Sequence, residues 1–344
     1  MNIAIIDCGT TNSRIYIVDS RAHVLYRASI KVGVRDMAIS GNNKALKDGL
    51  RRLFEHALQE TNLQVSDIHC ILSSGMISSE IGLLEVPHLW APCSVDDLAR
   101  NLQPYVDPSV FPASIPVYFI RGIKNAFDPK TICLRDIDSL DFMRGEETQI
   151  VGLLEDSKIN LPFCVVVLSS HTKFIPVDAQ CTILGSVTTL SGQLYEAILK
   201  ETIIGKSLLP EGMGDSDFFD AEIVESARNE IEKSGLLRGL LLVRFFDTLL
   251  HTSVHERHLL AESLLAAEDM RALPSVEKLA GQLGRNFVLI GQAQRCRVYE
   301  YLLRHMPGNS PYIVHTIVDP IEVDSLSIRG ALALAKKAGI IEDH

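Results

Sequence analysis

Residues 3–19 read IAIIDCGTTNSRIYIVD. An apolar run from Ile3 to Ile6 closes on Asp7, a short polar loop follows, and a second apolar run closes on Asp19. β-Branched residues fill both runs and Gly9 lies in the connection, so the stretch predicts a β-hairpin. Residues 165–178 repeat the pattern as VVVLSSHTKFIPVD, ending on Asp178. This second loop carries Lys173 and no glycine. Two hairpins of one pattern in one chain point to an internal duplication.

Similar elements follow each hairpin. After the first, HVLYRASI (23–30) reads as a third strand. From Lys44, apolar Leu46, Leu50, Leu53, Phe54, Ala57 and Leu58 mark an amphipathic helix. HCILSSGM and VYFIRG read as buried strands, with a helix between them around Val95 to Leu102. After the second hairpin, CTILGSV (181–187) is the third strand. Helical patterns cover 191–204, a long stretch within 217–270, and 275–284. NFVLIG (286–291) is a buried strand running into a helix with Arg297, Tyr299 and Leu302; YIVHTIV (312–318) is a strand, and SLSIRGALALAKKA a closing helix. The expected class is α/β in two lobes, 1–143 and a larger, more helical 144–344, with a central cleft. Clefts between domains are the usual place for small-molecule sites. The duplicated order matches the actin-like ATPase and sugar kinase architecture (ribonuclease H-like, duplicated), where each opening hairpin contributes one phosphate-binding loop.

Composition narrows the partners. The 344 residues are 47% hydrophobic and 22% charged, with net charge −10 and no basic stripe. That speaks against nucleic acid and anionic membranes. The N-terminus shows no signal-peptide pattern, and no apolar run approaches the roughly 20 residues that span a bilayer. GLLRGLLLVRFFDTLL (235–250) carries Arg238, Arg244 and Asp247 and is expected to be a buried helix. The seven cysteines are odd in number and form no C-x-x-C pair, which fits a reducing cytoplasm better than a disulfide frame or a structural zinc site. His251, His255 and His258 share a helix face; a solvated polar face is the better reading than a metal site.

Three stretches could carry chemistry. Asp7 ends a strand, so its carboxylate emerges at the strand tip. Gly9 permits close backbone approach, and Thr10, Thr11 and Asn12 offer donors around one anion. An acid beside phosphates is the natural holder of Mg²⁺. The plain structural reading is a hairpin turn. Ser73 to Ser79, with Gly75, Met76 and Ser78, could present hydroxyls to a polyol or sugar acid, or simply cap a helix. MRGEETQ (143–149) opens a helix whose first-turn acids complement the helix dipole. Arg144 supplies a fork for a carboxylate, and a glutamate there can take a proton from an attacking hydroxyl. In the related sugar kinases the catalytic acid residue stands at such a helix start ahead of the second phosphate loop. That placement favours Glu146 as base, with Glu147 in reserve. Ser169, Ser170, His171, Thr172 and Lys173 form the second candidate phosphate loop, and Gly291, followed by Gln292, could admit adenine or ribose.

MRGEETQ, GMISS, EVPHLWAPCS and HTKF, placed around DCGTTNSR, resemble the 2-oxo-3-deoxygalactonate kinase family over nearly the whole chain, most strongly over 1–174. The resemblance implies an ATP- and Mg²⁺-dependent phosphorylation of the 6-hydroxyl of a 2-oxo-3-deoxy sugar acid, within cytoplasmic galactonate catabolism. It places Asp7 at the metal, Glu146 and Glu147 at the chemistry, and Gly75, Met76, Ser78, Trp90 and Arg144 on the substrate side. An assembly of identical chains is left open.

The chain departs from the family pattern on the nucleotide side. The family's Pro-Gly-Thr-His-Ser-Lys-Trp stands here as Leu168-Ser169-Ser170-His171-Thr172-Lys173-Phe174. Its Thr-Gly-Glu-Leu stands as Ser191-Gly192-Gln193-Leu194, a Gly-rich helix segment as AESLLAAED (261–269), and a Gly followed by a small residue as Gly291-Gln292. The leading expectation is a sugar-acid kinase. The alternatives are a sugar-acid-binding relative without efficient ATP use, and a hydrolase of the same fold in which Glu146 orients water.

Overall fold

In the computed structural model the described residues are 1–34, 41–156, 159–209, 217–306 and 311–342. They form two compact units. One comprises Met1–Ile159, Ala179–Gly185 and Pro320–His344; the other comprises Asn160–Asp178 and Ser186–Asp319.

The chain begins β1 (Asn2–Cys8), β2 (Ser13–Asp19), β3 (Val24–Ile30), α1 (Lys44–Thr61) and β4 (Ile68–Gly75). Short strands follow: β5 (Leu89–Trp90), β6 (Cys93–Ser94), then helix α2 (Val95–Arg100), β7 (Gln103–Tyr105), β8 (Val117–Phe119), β9 (Ile123–Lys124) and β10 (Phe142–Met143), before α3 (Glu146–Leu154). Next come β11 (Phe163–Leu168), β12 (Thr172–Val177), β13 (Thr182–Ile183), β14 (Val187–Thr189), and helices α4 (Ser191–Glu201), α5 (Gly205–Leu208), α6 (Ala221–Ser234), α7 (Leu236–Thr248), α8 (Val254–Asp269) and α9 (Leu273–Ala280). The chain closes with β15 (Asn286–Gly291), α10 (Ala293–Arg304), β16 (Ile313–Ile317) and α11 (Pro320–Lys337).

The first unit's main sheet has the order β3-β2-β1-β4-β8-β7. β2 runs antiparallel to β1 and β3, while β4 runs parallel to β1 and β8. The second unit's strands run β14-β12-β11-β15-β16, again antiparallel, antiparallel, parallel, parallel. The five-strand pattern is therefore the same in both units, as the repeated hairpin predicts. The register carries the match to single residues. Cys8 lies opposite Ser13 and Gly75; Leu168 lies opposite Thr172 and Gly291. Asp7 pairs Arg14, and Val167 pairs Lys173. Asp7 thus has an apolar counterpart, so the duplicated hairpins are not chemically equivalent.

The central strands are continuous apolar runs because both sheet faces are covered. In the first unit, Ala4, Ile6, Ile15 and Ile17 pack with the Leu46, Leu50, Leu53 and Phe54 stripe of α1. In the second, Cys164, Val166, Phe287 and Leu289 pack with Leu264, Tyr299 and Leu302. The last helix belongs to the first unit. α11 crosses α3 so closely that a β-carbon on Gly330 would lie 1.9 Å from Thr148 O, and one on Gly152 2.0 Å from Leu326 O. The compact units therefore follow a different cut from the expected 143/144 division.

Other boundaries also differ. The expected strand 181–187 is two strands, β13 and β14, because Gly185 between them takes φ 137°. The long helical stretch within 217–270 is three helices, broken at Gly235 (φ 75°) and after α7. The run 235–250 is not a buried helix: only Gly239, Leu240 and Val243 of α7 are buried, and Leu237 is 87% exposed. Among the described residues no helix is long and apolar enough to cross a membrane.

Candidate active site

Parallel strands bind ligands beyond their carboxyl ends. In the first unit these ends are Cys8 and Gly75, side by side on β1 and β4. Gly75 has φ 82°, and a β-carbon there would lie 2.5 Å from Cys8 O. Gly145 (φ 110°), which begins α3, comes within 3.4 Å of Gly75 Cα, measured from its ideal β-carbon position. Asp7, Gly75 and Gly145 are thereby gathered at one strand end, and Glu146 follows Gly145 as the first residue of α3.

The first loop is a tight turn. Gly9 N–H donates to Asn12 O at 2.8 Å, and Thr10, Thr11 and Asn12 are exposed. The backbone of Gly33 presses against it, since a β-carbon there would lie 2.4 Å from Thr10 O. Ser13, just after the turn, is buried and donates to Val32 O at 2.8 Å. Asp7 accepts from Arg14 Nη1 at 3.1 Å. Burial raises the Asp7 pKa, Arg14 opposes the rise, and Asp324 on α11 adds to it.

Glu146 and Glu147 separate. Glu146 opens α3 and is half-buried. Glu147 is fully buried, and both its carboxyl oxygens accept from Gly145 N–H, at 2.8 and 2.9 Å. Burial, and then the neighbouring Glu146, push its pKa up to about 8. The expectation that Glu147 could stand in as base is corrected: it is turned inward onto the helix start, where burial favours its protonated form.

The serine-rich stretch also departs from its reading. Ser73 donates to Ile6 O (3.1 Å), Ser78 to Gly75 O (3.3 Å) and Ser79 to Met76 O (2.7 Å), and all three residues are buried. These hydroxyls shape the backbone beside Gly75 instead of facing a ligand; Met76 alone in this turn is half-exposed. Arg144 is already engaged. Its Nη1 donates to Ser78 Oγ at 2.8 Å, and its Nη2 donates to Val86 O at 2.7 Å and lies 3.3 Å from His88 Nδ1. Burial lowers its pKa. Trp90 is 43% exposed and lies opposite Lys124, which lies opposite Phe142 (58% exposed) across β5, β9 and β10. Lys124 Nζ stands 3.8 Å from the Trp90 ring centre.

In the second unit the strand ends are Leu168 and Gly291. A β-carbon on Gly291 would lie 2.8 Å from both Leu168 O and Leu168 Cβ, the same constraint as at Gly75. Close strand packing therefore accounts for Gly291. Gln292 is exposed at the start of α10, and its side chain makes no capping bond. Ser169 and Ser170 are exposed; Ser169 Oγ donates to His171 O at 3.0 Å, and Ser170 Oγ lies 3.1 Å from His171 Nδ1. Thr172 departs from its expected place on a ligand. It is buried, like its counterpart Ser13, and its hydroxyl lies 2.7 Å from Ser191 Oγ and 3.4 Å from Tyr299 OH. Lys173 Nζ donates to Thr188 Oγ1 at 2.9 Å. The three histidines do not share a helix face: His251 precedes α8 and has φ 52°, while His258 is held between Tyr195 OH (2.5 Å) and Leu208 O (2.5 Å), and no group of three or more metal-ligating side chains occurs among the described residues.

The model of the 2-keto-3-deoxy-galactonokinase family matches residues 7–317. The chain belongs to that family, one of carbohydrate kinases. The 2-dehydro-3-deoxygalactonokinase of Escherichia coli K12 is 26% identical over 141 residues, 41% of this chain and 41% of that one, so the alignment spans under half of the curated relative. A Sinorhizobium meliloti crystal structure assigned as a 2-dehydro-3-deoxygalactonokinase is similar over 97% of this chain and 98% of its own, with TM-score 0.73 and 18% identity. With the duplicated sheet order, that likeness places the family member's fold among the actin-like ATPases and sugar kinases.

Sequence reasoning missed several residues that the structure sets beside the candidate ones. Asp324 is remote in sequence and arrives only through the return of α11. Lys124 and Phe142 share a row with Trp90 through three two-residue strands, too short to give a pattern. Arg295 left a signal: a cation in the first turn of a helix opposes the helix dipole. It donates to Ser169 O at 2.8 Å and to Thr172 Oγ1 at 3.2 Å.

Proposed function

We propose that the protein transfers the γ-phosphoryl group of ATP to the 6-hydroxyl of 2-oxo-3-deoxygalactonate or a close relative. The observation that carries this reading is the gathering of Asp7, Gly75 and Gly145 at one strand end, with Glu146 next to Gly145 in sequence, in a chain of this family. Glu146 is the base: it takes the proton of the attacking hydroxyl as that oxygen bonds to phosphorus and the bond to the β-phosphate oxygen breaks, releasing ADP. Glu147 cannot share this role while protonated. Its burial keeps a second negative charge away from the incoming phosphates.

Asp7 fits a Mg²⁺ ion. Nucleotide-bound Mg²⁺ commonly rests on one or two carboxylates, phosphate oxygens and water; the Asp7 carboxylate would supply one such ligand, with one oxygen 3.1 Å from Arg14 Nη1 and the other 3.3 Å from where a β-carbon on Gly75 would stand. Bound there, the metal neutralises phosphate charge. Gly9 to Asn12 offer backbone and side-chain donors to phosphate, and Ser169 to His171 with Gly291 and Gln292 serve the nucleotide. Arg144 recognises the substrate side indirectly, by holding Ser78 and the Val86–His88 segment. Trp90 and Lys124 supply an aromatic face and a cation suited to a sugar acid.

A second reading, a sugar-acid-binding relative that does not use ATP, is favoured by one observation: the second loop has no glycine. ADP release from Mg-ATP with and without the sugar acid separates the two. The kinase reading expects sugar-dependent release, abolished in Glu146→Gln with sugar binding retained. Full turnover in that variant would remove Glu146 from the mechanism.

A further inference from the structure

We propose that Arg295 is the positioning residue of the second loop, holding Ser169–His171 in the shape that receives nucleotide phosphates and replacing a glycine's backbone freedom by side-chain bracing. The inference rests on the kinase reading for the identity of the ligand.

The two duplicated loops are braced by different means. The first has glycine inside it and backbone against it: Val34 N–H donates to Gly9 O at 3.4 Å, Ser13 to Val32 O, and Gly33 lies against Thr10. The second has no glycine. There the guanidinium of Arg295 spans the loop, one arm on Ser169 O where the loop begins and the other on Thr172 Oγ1 where it ends. A planar fork presents its donors in a fixed geometry; an ammonium's donors rotate on a flexible stem, so Lys would hold the two acceptors less well. The far arm does not end in solvent. Thr172 meets buried Ser191 and Tyr299, and Tyr299 OH donates to buried Asp269 Oδ2 at 2.5 Å, so the chain of contacts runs to the end of α8. The middle of the loop is held by Gln193 N–H donating to Ser170 O at 2.6 Å, and Gly192 permits it, because a β-carbon there would lie 2.1 Å from Ser169 O. Arg295 is also the third residue of α10, in its first turn, where a cation is unfavourable to the helix itself. Its place is explained by what it does for the loop.

The test is Mg-ATP binding by calorimetry, in parallel with the thermal shift given by 2-oxo-3-deoxygalactonate, on wild type, Arg295→Gln, Arg295→Lys and Tyr299→Phe. Removing the fork is expected to weaken Mg-ATP about tenfold or more, the scale of one or two charge-assisted hydrogen bonds. Arg295→Lys should recover part of the loss and Tyr299→Phe should lose a smaller part. The sugar-acid shift should stay at the wild-type value in all three, and in turnover KM for ATP should rise while KM for the sugar acid does not. The assignment is overturned if Arg295→Gln binds Mg-ATP within twofold of wild type, or if Lys rescues nothing. Loss of ATP and sugar-acid binding together overturns it too, as that marks a general structural role. Should Arg295→Gln fail to fold, Arg295→Lys and Tyr299→Phe give the same reading: ATP binding at wild-type strength in both contradicts the proposal. Wild type that binds the sugar acid but no Mg-ATP contradicts the kinase reading instead, whatever the variants do.

Discussion

Glu146 and Glu147 are neighbours in sequence and opposites in setting. The motif identified both as acids at a helix start, and that much was legible, because the dipole preference is local. Which of them turns inward was not, since it depends on Gly145 (φ 110°) aiming its N–H at Glu147. The difference has a measurable sign. Glu147 is raised from 4.5 to about 8, so its contribution to stability is complete below about pH 4.5 and is lost as pH rises through 8. Glu147→Gln keeps an acceptor for Gly145 and removes the titration. Urea unfolding at pH 5 and pH 8.5 should show wild type losing stability relative to the variant as pH rises; parallel profiles would contradict the assignment. Asp7 was legible from its place at a strand tip. Thr172 was misread because loop membership alone does not say which way a side chain points, whereas its register match to buried Ser13 does.

Among elements, the hairpins and α1 were legible because their periods are long and local. The α3–α11 crossing was not, because it joins segments about 180 positions apart in the chain and depends on Gly152 and Gly330, which look unremarkable in sequence. Gly330→Ala would drive a methyl to within 1.9 Å of Thr148 O, which demands that a helix shift. Overpacking of this kind costs about 1–3 kcal/mol, so the denaturant midpoint should fall clearly; an unchanged midpoint would mean the helices do not cross this closely. Gly75→Ala should be still less tolerated, since it adds a positive-φ penalty to a 2.5 Å contact with Cys8 O, and it should lower both the melting temperature and turnover. The helix over 235–250 was misjudged because an apolar run does not reveal how many of its faces are covered.

At the scale of the whole molecule, the same five-strand order occurs twice, with each copy ending at a loop, but the copies have diverged in chemistry. Only the first keeps an acid at the strand end, Asp7 against Val167, and only the first keeps glycine in its loop. The sequence exposed the duplication through its hairpins; it hid the compensation, because Arg295, Tyr299 and Asp269 reach the second loop from helices more than 90 residues further along the chain. The account predicts that divergence has altered how nucleotide is held without abolishing its use. The most direct measurement is ADP release from Mg-ATP in the presence and absence of 2-oxo-3-deoxygalactonate, with Glu146→Gln as control. Sugar-dependent release that disappears in the variant is the predicted result; no sugar-dependent release from a wild-type protein that the sugar acid nonetheless stabilises would contradict it.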